Sequence, residues 1–173
     1  MADYIHDVEV VQKFAQLNRE AILDELVKGM QWKLSETYSC AHNYIDTDVP
    51  ASIGKPIIRK GAISAKAGEP VIIPVNMRDG VILGTGTGNE DWNHSAPHGA
   101  GRVMKRQDVK AGFTVSQYKK EMKGVYSSCI GKGTLDEAPF AYRGIEQIAD
   151  AISETVKIDK VLKPVYNFKA GGE

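Results

Sequence analysis

The sequence predicts an α+β protein, a mixed sheet with packed helices, and three features lead to that reading. A long segment at the start carries apolar residues at steps of three and four. Between residues 50 and 85 the pattern changes to short apolar runs punctuated by Gly, Pro and Asp. After residue 100 helical patterns return, interleaved with short extended runs. No internal repeat, low-complexity segment or linker divides the 173 residues, so the chain reads as a single domain over 1–173.

Taken in order, residues 7–30 form one helix. Val8, Val11, Ala15, Ile22, Leu26 and Met30 supply its apolar stripe, Asp7 a start signal and Gly29 a stop. Residues 37–44 read as extended, until Asp46, Asp48 and Pro50 interrupt. The run from Pro56 to Ile63 suggests a strand, a turn at Lys60-Gly61 and a return strand. Val71 to Val75 is a short buried strand, joined to Val81–Gly84 through the hairpin-type pair Asp79-Gly80. Residues 84–97 follow neither period and read as a functional loop. A helix can begin within 99–109, and a stronger one covers 114–123, opened by Thr114 or Ser116. Val125 to Ile130 suits a strand. Asp136-Glu137-Ala138-Pro139 turns into a helix over roughly 144–155. Val156, Ile158, Val161, Val165, Tyr166 and Phe168 then alternate as strands split by Pro164.

Composition narrows the function. Lys and Arg number 22, as do Asp and Glu, so no polybasic tail grips nucleic acid by charge alone, although a local basic groove is compatible with that balance. Two scattered cysteines, Cys40 and Cys129, make neither a disulfide framework nor a zinc motif and suit a reducing compartment. No apolar run approaches the ~20 residues of a membrane span. The acidic start lacks a signal-peptide pattern, so a cytoplasmic protein is expected.

The chemistry concentrates at Asn93-His94-Ser95-Ala96-Pro97-His98-Gly99-Ala100-Gly101-Arg102. Glycines let the backbone approach a ligand and expose N–H groups, a common way of holding phosphate. Arg102 adds a guanidinium fork suited to phosphate oxygens. A neutral imidazole at His98, beside such a cradle, is a competent nucleophile toward phosphorus. On pattern alone, a turn histidine in a glycine-rich loop is the commoner case. Cys40 and His42, at i and i+2, would share one side of a strand as a two-ligand metal edge. Nothing nearby completes a tetrahedral set. His94 belongs to the loop, since Pro97 makes a helix shared with His98 unfavourable, and His6 is expected at the surface.

Together these segments resemble the C-terminal part of the RtcB family of RNA-splicing ligases. The resemblance rests on Cys40-Ala41-His42-Asn43-Tyr44, on Ile73 through Gly80, on Ala96 through Met104, on Asp136 through Tyr142 and on Tyr166-Asn167-Phe168-Lys169, in order along the chain. Leu17-Asn18-Arg19 resembles the preceding helix. The implied fold is an RtcB-like mixed sheet with packed helices, incomplete because the family's larger N-terminal part is not represented. The implied activity is GTP- and manganese-dependent joining of RNA 3′-phosphate (or 2′,3′-cyclic phosphate) and 5′-hydroxyl ends, in tRNA splicing or RNA repair. A histidine attacks the α-phosphate of GTP and becomes guanylylated, and GMP passes to the RNA before the strand is sealed. The match makes His98 that nucleophile and His42 a manganese ligand. It places Asn43, Pro74, Val75, Asn76, Met77, Gly99, Ala100, Gly101, Arg102, Tyr142 and Lys169, with His42, around the nucleotide.

Two departures are visible. Pro97 stands where many members have serine, Pro74-Val75-Asn76-Met77 replaces a Pro-Gly-Ser-Met loop, and Val81 replaces a serine that commonly contacts the nucleotide. The N-terminal part would supply an aspartate, a cysteine and two further histidines for manganese. The chain alone is therefore expected to be inactive, and its partners to be RNA and that N-terminal part, in cis or in trans. Self-association through an uncovered apolar face is also expected. The competing reading is a non-catalytic module that binds a nucleotide or a partner.

Overall fold

The opening periodicity is realised as one helix, α1 (Ala2–Gly29), in a computed structural model that describes residues 2–169. The residues fall into two units, 1–64 and 65–173, each with its own contacts. Within α1 the half-buried side is formed by Ile5, Val8, Gln12, Ala15, Leu23 and Val27. The expected stripe is met only at Val8 and Ala15, for Val11, Ile22, Leu26 and Met30 are exposed. The reason is that α1 carries apolar residues on several faces. Val10, Phe14 and Leu17, at i, i+4 and i+7, form an exposed row of their own.

The rest of the first unit is a short ribbon. β1 (Tyr44–Asp46) pairs antiparallel with β2 (Ile57–Arg59), placing Tyr44 opposite Arg59 and Asp46 opposite Ile57. The extended run expected over 37–44 thus becomes a strand only from Tyr44. β3 (Ala62–Ser64) follows the Lys60-Gly61 turn but lies outside this ribbon. Arg59 is fully buried and donates to Asp46 Oδ2 from Nη2 at 2.9 Å and from Nε at 3.2 Å. Asp46 also accepts the N–H of Asp48 at 3.1 Å, so the residues that seemed only to interrupt a strand close its end.

The second unit runs β4 (Pro70–Asn76), β5 (Gly80–Gly86), β6 (Ser95–Pro97), α2 (Arg106–Gly112), α3 (Val115–Glu121), β7 (Tyr126–Ser127), α4 (Ile145–Ile152), β8 (Val156–Leu162) and β9 (Tyr166–Asn167). β4, β5 and β8 make an antiparallel sheet in that order. Val71, Ile73 and Val75 point to its buried side, and Ile82 does so from β5, as the period of two requires. The loop over 84–97 contains a 3₁₀ turn at Glu90–Trp92 before β6. α2 begins later than the sequence suggests, because Gly101, at φ +70°, keeps the chain after His98 out of helical geometry. Thr114 caps α3 in a reciprocal box with Gln117. α3 buries Tyr118 and leads to Met122, which pack with Met77, Leu135 and Ala138, while Phe113 stacks on Phe140 at 4.1 Å. β7 and β9 are parallel, pairing Tyr126 with Tyr166 and Ser127 with Asn167.

Gly80 is the tightest point of the sheet. Its φ is +92°, and a Cβ there would stand 2.0 Å from the Leu162 carbonyl oxygen, on the neighbouring strand. Gly80→Ala is therefore expected to destabilise the fold by more than ~2 kcal/mol, combining left-handed strain with a backbone clash. Gly112→Ala, where a methyl meets nothing within 4 Å, should change stability by less than ~0.5 kcal/mol. Urea denaturation of both variants checks the contrast.

Candidate functional site

The tip of the β4–β5 hairpin is built by Asn76. Its Oδ1 accepts the N–H groups of Arg78 at 3.0 Å and Asp79 at 2.8 Å, and its Nδ2 donates to Asp79 Oδ2 at 2.9 Å. Arg78 binds Asp79 at 2.9 Å and reaches Glu121 on α3. Burial pushes the Asp79 carboxyl up, but hydrogen bonds from Arg78 and Asn76 outweigh it and hold the group below its ordinary value. Of the four residues Pro74 to Met77, only Pro74 is exposed. Val75 and Met77 are core residues, and Tyr118 donates its hydroxyl to Met77 Sδ at 2.9 Å.

His98 follows β6 and is exposed. The loop after it is fastened on both flanks. On one side Ala100 N–H donates to the Pro74 carbonyl at 3.1 Å, and a Cβ on Gly99 would come within 3.3 Å of that oxygen. On the other, Arg143 N–H donates to Gly101 O at 3.2 Å and Val103 N–H to Ala141 O at 2.9 Å, with Arg102 and Tyr142 bridged antiparallel. His94 lies upstream at φ +48°, beside Asn93 at +50°. It is 7 % exposed, and its Nε2 has no hydrogen-bond partner among the described residues.

Arg102 turns toward its own chain. Its guanidinium donates to the Asp136 carbonyl, to Glu137 Oε1 at 2.6 Å and to the Tyr142 hydroxyl at 2.7 Å, and it lies 4.6 Å from the centre of the Tyr142 ring. The Tyr142 hydroxyl donates in turn to Glu137 Oε2. Burial, and then the Glu137 carboxylate, push the Tyr142 phenol up to about 12, so it remains a proton donor at neutral pH. Lys169 Nζ stands 3.9 Å from the same Oε2, and the Lys169 N–H donates to Cys129 Sγ at 3.1 Å. Asn167 donates to the Met77 carbonyl at 2.6 Å, tying the C-terminal segment to the hairpin.

His42 and Asn43 belong to the first unit, and both are exposed. Gln12 Nε2, from α1, donates to the carbonyls of His42 at 3.0 Å and Asn43 at 2.9 Å. Asn43 is held at φ +56°, and its Oδ1 accepts Gly61 N–H at 3.0 Å. Cys40 and His42 lie ahead of β1, not on a strand, so the shared strand face expected for them is not formed. Among the described residues no three His, Cys, Asp or Glu side chains gather at metal-binding spacing. The described residues thus gather no donor set of their own for a manganese ion.

The family model for the tRNA-splicing ligase RtcB matches residues 1–170. The chain belongs to the RtcB family. The RNA-splicing ligase RtcB of Escherichia coli (strain K12) is 33 % identical over 178 residues, covering 96 % of this chain and 43 % of that protein. The tRNA-splicing ligases RtcB of Aeropyrum pernix and Nanoarchaeum equitans are 29 % and 26 % identical, covering 92 % of this chain and 39 % and 40 % of theirs. The chain thus spans about two fifths of the length of these RtcB relatives. Its mixed α and β elements agree with the predicted fold class. The fold also brings the RtcB-matching segments of the second unit together at two junctions: Pro74 with Ala100, and Arg102 with Tyr142 and Lys169 through Glu137. The two organising residues, Gln12 and Glu137, are absent from the candidate site residues read from the sequence. Gln12 lies in a helical pattern, and Glu137 reads as a turn residue, so neither carries a local signal.

Asp136 resembles Asp79 in its charge state. Burial pushes it up, but its own backbone N–H, Arg106 at 2.8 Å and Lys110 hold it below its ordinary value. A carboxylate with a depressed folded pKa contributes stability above its unfolded value, and that contribution is lost as pH falls through the folded pKa. Stability is expected to be level near neutrality and to decline below about pH 5. Asp136→Asn should be less stable at pH 7 and show a shallower acid decline. Urea midpoints measured from pH 7 to pH 3 check this, and an unchanged slope would contradict it.

Proposed function

We propose that this chain is the C-terminal part of a GTP-dependent RNA ligase and that His98 is its nucleophile. The carrying observation is an exposed histidine at the head of a glycine loop whose backbone is fastened to Pro74 on one side and to residues 141–143 on the other. Such fastening holds an imidazole ready without loop ordering at the moment of reaction. The RNA-splicing ligase names of the relatives support the same reading.

In this proposal a ring nitrogen of His98 bonds to the α-phosphorus of GTP. The bond from that phosphorus to the bridging oxygen breaks, pyrophosphate leaves, and the proton on the second ring nitrogen passes to solvent. GMP then passes to the 3′-phosphate of an RNA, and a 5′-hydroxyl displaces it to seal the strand. Tyr142 serves as a neutral hydroxyl beside the loop, and Lys169 as a cation at its edge. Val75 and Met77 support the hairpin from the core. His42 is one donor toward manganese in a set to be completed by an N-terminal ligase part, in cis or in trans. Cytoplasmic tRNA splicing or RNA repair is the setting proposed for the reaction.

Incubation with α-labelled GTP and manganese, with and without the N-terminal part of an RtcB ligase, tests the assignment. Label surviving a denaturing gel is expected when that part is supplied, and His98→Ala should abolish it, a loss of at least ~1000-fold. Label that persists in His98→Ala would remove the assignment. No label under either condition would favour the non-catalytic binding module.

The exposed row Val10, Phe14 and Leu17 gives a second test. A partner of the N-terminal kind is proposed to cover it. The chain alone is expected to self-associate as its concentration rises, and Phe14→Glu should return it to monomer in sedimentation velocity. A monomer at several hundred micromolar would count against a cohesive face.

A further inference from the structure

We propose that Glu137 is a positioning residue that locks the His98 loop to the Tyr142 and Lys169 segments. The loop-locking part stands on geometry alone, while its consequence for catalysis rests on the function proposed above. Glu137 closes a 3₁₀ turn, Leu135–Glu137, flanked by the core residues Leu135 and Ala138. Its carboxylate is thus presented from a fixed base. Oε1 accepts from Arg102 at 2.6 Å and from Arg106 at 3.0 Å. Oε2 accepts from the Tyr142 hydroxyl and faces Lys169 Nζ at 3.9 Å. Arg102, Arg106 and the Tyr142 hydroxyl donate to the carboxylate and Lys169 adds its charge at longer range, so groups from three separate chain segments meet there.

The arrangement explains how a loop rich in glycine keeps one shape. Its backbone contacts to residues 141–143 run alongside the side-chain contact of Arg102 with Tyr142, and Glu137 touches both side chains. Without that charge, Arg102, Arg106 and Lys169 would be left with less compensation, and Asp136 already binds Arg106 and Lys110. The Tyr142 hydroxyl would lose its acceptor. The loop would then be held by the Pro74 carbonyl, by its backbone contacts to residues 141–143 and by the remaining contacts of Arg102 with Tyr142 and the Asp136 carbonyl.

Hydrogen–deuterium exchange on the full chain, comparing wild type, Glu137→Gln, Glu137→Asp and Tyr142→Phe, tests this. Glu137→Gln is expected to speed exchange of residues 98–104 by on the order of tenfold, leaving residues 70–76 of the sheet unchanged. Glu137→Asp should recover part of the protection. Tyr142→Phe, which removes the hydroxyl contacts but keeps the Arg102–Glu137 pair, should have a smaller effect and serves if Glu137→Gln does not fold. Tyrosinate absorbance gives a second readout: one phenol should titrate at lower pH in Glu137→Gln, and that transition should be missing from Glu137→Gln/Tyr142→Phe. Unchanged exchange over 98–104, or loosening spread equally over the sheet, would overturn the proposal. Labelling with α-labelled GTP, with the N-terminal part supplied, separates the two levels. Unlabelled wild type with a loosened loop in Glu137→Gln would sink the ligase reading and leave Glu137 as the lock.

Discussion

The second unit depends on the closure of the His98 loop between two backbone partners. The Pro74 carbonyl takes the Ala100 N–H, and residues 141–143 take the chain at Gly101 and Val103. A loop with glycine at 99 and 101 has high conformational entropy when free, and ordering it costs about 1–2 kcal/mol for each residue. These contacts meet that cost with hydrogen bonds to segments that are themselves anchored. Pro74 lies on a strand whose Ile73 and Val75 are buried, and Ala141 is completely buried. Gly101 is set by the backbone. The firm requirement is its φ of +70°, since the one close neighbour of an added Cβ, the Arg143 guanidinium at 2.8 Å, ends a flexible side chain; the loop conformation thus needs glycine more than the space does.

Charge follows the same economy of contacts. Arg102 stands where a phosphate-binding fork is expected, yet its guanidinium is engaged with Glu137, Tyr142 and the Asp136 carbonyl. A cation so compensated shapes the loop more than it attracts an anion from solution. Lys169 faces the same Glu137 carboxylate at longer range, and its side chain keeps 41 % exposure. The zero net charge of the chain is consistent with recognition by local geometry in place of a broad basic surface.

Elements governed by local rules were legible in the sequence, and those governed by tertiary partners were not. The β4–β5 hairpin follows from an apolar run, Asp79-Gly80 and a second run, and α3 follows from the Thr114 cap. Pro164 does separate β8 from β9. The strand expected over 125–130 shrinks to Tyr126–Ser127, because its partner is the two-residue β9. On α1 the period was visible but the buried face was not, since several faces are apolar and only packing chooses among them. At the candidate site the residue types were readable, because motif order carries them. The direction in which Arg102 points, and the identity of Glu137 as its partner, depend on a contact 35 residues away in sequence.

The stretch from Pro74 to Met77 is committed largely to its own hairpin. Val75 and Met77 face the core, and the Asn76 amide is committed to the turn through Arg78 and Asp79. Three of the four side chains therefore serve the hairpin, and only Pro74 is presented to solvent. Val81 is in register with Pro74 across the sheet and offers no hydroxyl. A base bound here, in the proposed function, would meet proline ring and main chain in place of polar side chains. Discrimination among nucleotides would have to come from elsewhere, and the Tyr142 hydroxyl could contribute only by giving up its bond to Glu137.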